Sequence, residues 1–114
     1  MAKTIVSMFG VSRLDLINAN NSKAFKDVVP DEQIHVTGAA IVDETDENGN
    51  PRAFAYVFDN EAGAVYGGNA AGAVQTVSDL IPLMEEEPGE YYLSVTCSKS
   101  KGGKDYLSFF VSRK

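Results

Sequence analysis

Residues Tyr91–Lys114 read YYLSVTCSKSKGGKDYLSFFVSRK, and this stretch is a hairpin written in the sequence. Tyr91, Leu93, Val95 and Cys97 alternate with Tyr92, Ser94, Thr96 and Ser98. A period of two sends the first set to one face of a strand and the second set to the other. Gly102-Gly103 can supply the positive φ angles of a tight turn. A second alternating run follows, with Leu107, Phe109 and Val111 set against Tyr106, Ser108 and Phe110. One face of this ribbon is apolar and belongs in a core, while the other mixes aromatic rings with hydroxyls. Lys99, Lys101 and Lys104 crowd the turn, and Arg113 and Lys114 close the chain. Rings and ammonium groups on one exposed surface are what a protein uses to stack bases and follow phosphates. An ordinary hairpin with a lysine-rich, well-solvated tip carries the same letters.

Upstream of the hairpin, Ala70–Glu86 places Val74, Val77, Ile81 and Met84 at helical spacing, with Asn69 as a plausible cap and Pro82 expected to kink or interrupt the end. Gly63–Gly72 (GAVYGGNAAG) lacks the Lys-Ser/Thr of a phosphate-binding loop and reads as a flexible link from strand to helix. Before it come a short strand at Ala64–Tyr66, a turn at Asn60–Gly63 and a strand at Arg52–Asp59. Asn48-Gly49 marks a hairpin turn. Gln33–Asp43 alternates around Gly38, which signals a bulge or sharp bend. Alternation puts Ile34, Val36, Ala40 and Val42 on one face and His35, Thr37, Ala39 and Ile41 on the other. Further upstream, Lys3–Phe9 has strand character, and Ser22–Val29 can make a helical turn or two capped by Asn21 or Ser22 and ended at Pro30-Asp31.

From Gln33 onward the order is therefore strand, strand, strand, helix, strand, strand. That is the element order of the OB-fold, a five-stranded Greek-key barrel that takes oligonucleotides and oligosaccharides. The expected fold is mainly β: one domain over 1–114, an OB-fold-like five-stranded barrel with one helix and an additional N-terminal strand. That strand could pair with a barrel edge or with a neighbouring subunit, which leaves a homo-oligomer open.

Composition sets the outer limits. At 114 residues with 44% hydrophobic and 23% charged, the chain suits a single globular domain. It contains no apolar run long enough for a membrane helix. The start, MAKTIVSMFG, lacks a signal-peptide pattern, and the single Cys97 cannot form an internal disulfide, so a cytoplasmic setting is expected. Net charge is −6, from 16 acids against 10 bases, which argues against nucleic acid. The distribution weakens that objection, because the acids concentrate at Asp43–Glu47 and Glu85–Glu90 while the residues from Tyr91 on carry one acid, Asp105. A molecule with separated charge can meet a polyanion with one face.

Catalysis finds little support. His35 is the lone histidine, and such a residue on a strand is more often structural or solvated. Cys97 alternates with Leu93 and Val95 and reads as a small buried hydrophobe. No Cys/His cluster offers zinc ligands, the acids at 43–47 lack the calcium-loop pattern, and no cofactor is expected. The aromatics say more. Phe54, Tyr56 and Phe58 either fill a core or, if Ala53, Ala55 and Val57 fill it, face outward. The candidate stacking residues are Tyr56, Tyr66, Tyr92, Tyr106 and Phe110, and the candidate phosphate contacts are Arg52, Lys99, Lys101 and Lys104.

Four passages, SRLDLINANNSKAFKDVV, DETDENGN, AGAVYGGNAAGAVQTVSDLI and TCSKSKGGKDYLSFFV, resemble a family of small single-stranded DNA-binding proteins of tailed bacteriophages. The resemblance runs over nearly the whole chain. It implies an OB-like fold, binding of displaced single strands during phage DNA replication or recombination, no enzymatic activity, and phage replication proteins as further partners. Many single-stranded DNA-binding proteins recruit such partners through an acidic tail. This chain closes on Ser112-Arg113-Lys114, so tail-mediated recruitment is not expected. Two other readings use the same residues, namely a phage structural or protein-interaction module and a small-ligand binder that sequesters a signalling nucleotide.

Overall fold

A computed structural model of the chain describes residues 3–18, 22–25, 33–45, 48–69, 71–99 and 105–113. The elements are β1 (Lys3–Phe9), α1 (Arg13–Asn18), β2 (Lys23–Ala24), β3 (Gln33–Val36), β4 (Gly38–Thr45), β5 (Pro51–Asp59), β6 (Ala64–Gly68), α2 (Ala71–Glu86), β7 (Tyr91–Lys99) and β8 (Asp105–Arg113). They form a five-stranded sheet in the order β1-β4-β5-β6-β2 and a three-stranded sheet in the order β3-β7-β8. The molecule is mainly β, with two helices among the described residues.

The expected single strand over Gln33–Asp43 is two strands, and the break is at Thr37. Its amide and its hydroxyl both donate to the Phe58 carbonyl, at 2.8 and 3.0 Å, and its hydroxyl accepts from the Asn60 amide at 2.8 Å. This pin turns the chain out of one sheet and into the other. It also breaks the phase of the alternation. Ile34 and Val36 share a core with Ala39 and Ile41, while Ala40 and Val42 join a separate cluster, contrary to the unbroken pattern. Gly38 cannot be replaced by a larger residue here, since a Cβ would lie 2.5 Å from a Val11 methyl and 2.9 Å from the Gly10 carbonyl oxygen.

The main core lies between the sheets and under α2. Ala73, Val77, Leu80, Ile81 and Met84 of α2 meet Ile34, Val36, Ala39, Ile41, Ala55, Val57, Tyr91, Leu93 and Val95. Tyr91, Leu93 and Val95 are therefore inward as the alternation predicts, with Phe109 and Val111 half-buried against the same core, while the side chains of Cys97 and Leu107 are outside the described ones. Helix α2 runs through Pro82 to Glu86 without interruption. Three further local differences stand out. The Gly67-Gly68 pair is inside strand β6, where a Cβ on Gly67 would strike the Tyr56 ring at 2.7 Å and one on Gly68 would press on the Phe25 ring at 3.1 Å. The early helix is α1 at Arg13–Asn18, and Lys23–Ala24 is extended; the rest of the expected turn, 26–29, is outside the described residues. The cap is Ser12, whose hydroxyl accepts from the Asp15 amide while the Asp15 carboxylate accepts from the Ser12 amide, a reciprocal pair.

The barrel is not closed. Closure would join β6 to β8, and among the described residues no such pairing exists. Instead β2 lies parallel on the free edge of β6, and buried Phe25 meets Phe109 edge-on at 5.4 Å between ring centres. A side-chain plug fills the seam where backbone hydrogen bonds were expected.

Candidate nucleic-acid interface

The outer face of the β3-β7-β8 sheet follows from its register. His35 pairs with Tyr92 and Tyr92 with Ser112; Gln33 pairs with Ser94 and Ser94 with Phe110; Thr96 pairs with Ser108. Directly opposed residues share a face, so this surface is built of two aromatic rings, an imidazole, an amide and hydroxyls. None of these residues is acidic, in a chain whose net charge is −6. The Phe110 side chain is 69% exposed, the largest exposure among the described large hydrophobic residues. Tyr92 is half-buried and stacks on His35 at 5.1 Å with 23° between the rings. His35 Nδ1 lies 3.3 Å from a Glu61 carboxylate oxygen, so the β5–β6 turn holds the imidazole against Tyr92. Beside the stack, Gln33, Tyr92, Ser112 and Arg113 line a cleft of about 380 Å³, near the small end of ligand sites. The Arg113 guanidinium lies 3.4 Å from Glu87. The Tyr91 hydroxyl and then the Glu87 carboxylate raise its pKa above the usual value.

The sequence-derived candidates divide between the two sheets. Tyr92 and Phe110 are on the outer face just described. Lys99 pairs with Asp105 and Tyr106 with Ser98 through the backbone, and the side chains of Lys99, Tyr106 and Cys97 are not described. Lys101 and Lys104 are outside the described residues. Arg52, Tyr56 and Tyr66 belong to the five-stranded sheet. Arg52 is exposed and opposite Glu44 in register.

Two candidates are corrected. Tyr56 is only 8% exposed, because Val11 and Leu16 lie over the cluster it forms with Ala40, Val42 and Phe58. Burial and, after it, the Glu44 carboxylate push its hydroxyl pKa above the ordinary 10.0. Tyr66 pairs with Val57, so it is on the opposite side of the sheet from Tyr56 and packs half-buried against the main core. These two rings cannot serve one strand from one surface. A groove of about 250 Å³ does remain near Tyr56, lined by Ser22, Ala24, Glu44, Phe54, Tyr56, Gly67 and Gly68.

Sequence reasoning missed Gln33 and His35 as members of the outer face. Their signal is the pairing of β3 with β7, a contact between residues nearly sixty apart that no local pattern carries. Among the described residues no cluster of His, Cys, Asp and Glu could hold a metal ion, and no helix is long and apolar enough to cross a membrane. No protein-family model matches the chain, and no curated protein or solved structure matches it either.

Proposed function

We propose that the chain binds single-stranded DNA, sequence-tolerantly and without catalysis, on the outer face of the β3-β7-β8 sheet. The observation that carries this reading is Phe110, a ring 69% exposed on a face whose paired strand residues are hydroxyls, an amide, an imidazole and aromatics. Base stacking is sequence-tolerant because every base has a π face. Phe110 and Tyr92 supply stacking surfaces, Tyr106 extends the same alternation toward the turn, and Lys99, Lys101 and Lys104 neutralise phosphates. Arg52, Tyr56 and Tyr66 are not part of this face.

The element order supports an OB-like ancestry. β3 and β4 act as one bent strand that contributes to both sheets, followed by β5, β6, α2, β7 and β8. A Greek-key barrel of this kind is commonly partly open, and the β6–β8 seam plugged by Phe25 is compatible with that. The resemblance to phage single-stranded DNA-binding proteins supplies the setting, replication or recombination of phage DNA.

Fluorescence titration of labelled single-stranded DNA, duplex DNA and RNA at two salt concentrations tests the proposal. Single strands should bind tightest, and log affinity should fall with log salt by about 0.7 per phosphate contact. Failure to bind any single strand at low salt overturns it.

A further inference from the structure

We propose that a second copy of this chain docks on the β1–α1 surface, with the β1 strands pairing antiparallel about a two-fold axis. Six large hydrophobic side chains are exposed among the described residues, and five of them are in this one region. Ile5 and Met8 are each 39% exposed, Val6 is 56%, and Leu14 and Ile17 are 66% and 65%. Only Gly10, Val11 and Ser12 separate β1 from α1. Leu16 turns inward onto the Tyr56–Phe58 cluster, so α1 spends one side on the fold and leaves Leu14 and Ile17, spaced i and i+3, on another.

The occupant follows from the edge itself. β1 is the terminal strand of its sheet, bonded to β4 on one side. A sheet edge presents unsatisfied N–H and C=O groups that template another strand. A strand paired antiparallel with its own copy satisfies both through a single two-fold, which closes the assembly at two. Monomeric proteins guard such edges with charge, proline or a bulge, and β1 carries a single charge, Lys3 at its start, and no proline. Val6, the extra residue of a bulge between Ile5 and Ser7, bends the strand without adding charge. Charge opposes self-association less here than over the rest of the molecule. Two molecules of net charge −6 repel over most of their surfaces, whereas residues 3–18 carry Lys3, Arg13 and Asp15, a net charge of +1. This docking is independent of what the β3-β7-β8 face binds.

Sedimentation velocity of the full chain over a wide concentration range tests the inference, together with Val6→Lys, which places a charge on the edge. Wild-type protein should dimerise with concentration, and Val6→Lys should weaken the dimer by about tenfold or more. Hydrogen exchange on the wild-type chain gives a second readout should the variant misfold: amides 4–9 should become more protected as concentration rises. Monomer at every concentration overturns the inference. So does a dimer that Val6→Lys leaves unchanged. If amides 4–9 ignore protein concentration but become protected when an oligonucleotide is added, the surface belongs to nucleic acid and the second copy is excluded.

Discussion

The two sheets carry the same sequence signal on their outer faces and meet opposite fates. On β5, Phe54, Tyr56 and Phe58 alternate with small residues; on β8, Tyr106, Ser108 and Phe110 alternate with larger ones. The β5 rings are covered, because the chain crosses Gly38 at Gly10-Val11, turns through α1 and lays Val11 and Leu16 over them. Among the described residues nothing covers Phe110. Ring chemistry does not separate the two faces. What separates them is whether an arm of the same chain lies on top, and an aromatic row is open to a ligand only where no arm does.

The sharpest way to break this comparison is to truncate one ring on each side. Phe58 is 1% exposed, so Phe58→Ala should cost about 3–5 kcal/mol of stability by denaturant unfolding. A loss below about 1 kcal/mol would mean that the arm does not seal that face. Phe110→Ala should leave stability within about 0.5 kcal/mol and cost about 1–3 kcal/mol in single-stranded DNA binding. Thermal unfolding and fluorescence titration of the same preparation read both quantities. Reversed outcomes, a fragile Phe110 variant and a tolerant Phe58 variant, would mean that the faces are assigned backwards.

The arm can be loosened without touching a ring. Leu16 is half-buried on the cluster, so Leu16→Ala should cost about 1 kcal/mol of stability, less than a fully buried leucine. It should raise hydrogen exchange in β5 and leave DNA affinity unchanged. A gain in affinity would show that the covered rings can also stack bases, and that the arm is the difference between the faces in function as well as in structure.

Much of this was legible in the sequence because it is local. Alternation located Tyr91, Leu93 and Val95 in the core and Phe110 outside it, and Asn48-Gly49 and Asn60–Gly63 marked turns whose glycines take φ of 81° and 68°. A Ser-x-x-Asp capping pair at Ser12 and Asp15 was also present to be read, ahead of the short α1. What was not legible depends on contacts between distant segments. Which side of β5 faces the main core was open, since both sides are apolar; α2 with β3 and β7 takes the Ala55–Val57 side, and the arm from residue 10 covers the other. The phase change at Thr37 depends on hydrogen bonds to Phe58 and Asn60, more than twenty residues on. The plugged seam depends on Phe25 meeting Phe109.

The smallest expected effect belongs to a single oxygen on the covered face. Burial, and after it the nearby Glu44 carboxylate, raise the Tyr56 pKa above 10.0, so the folded protein holds this phenolic proton more tightly than the unfolded chain does. Because the folded state holds this proton more tightly, its contribution to stability is fully present below the unfolded pKa of about 10 and is lost as pH rises through the folded value. Tyr56→Phe has no proton to lose. At neutral pH it should change stability by no more than about 1 kcal/mol, since the ring that fills the cluster is kept. Above about pH 10 the wild-type protein should lose stability more steeply than the variant. Urea unfolding of both proteins from neutral to alkaline pH measures the difference between the slopes. Parallel curves would mean that the Tyr56 hydroxyl reaches water, through the groove beside Glu44, as freely in the folded chain as in the unfolded one, and that the cover over this face is looser than Val11 and Leu16 make it.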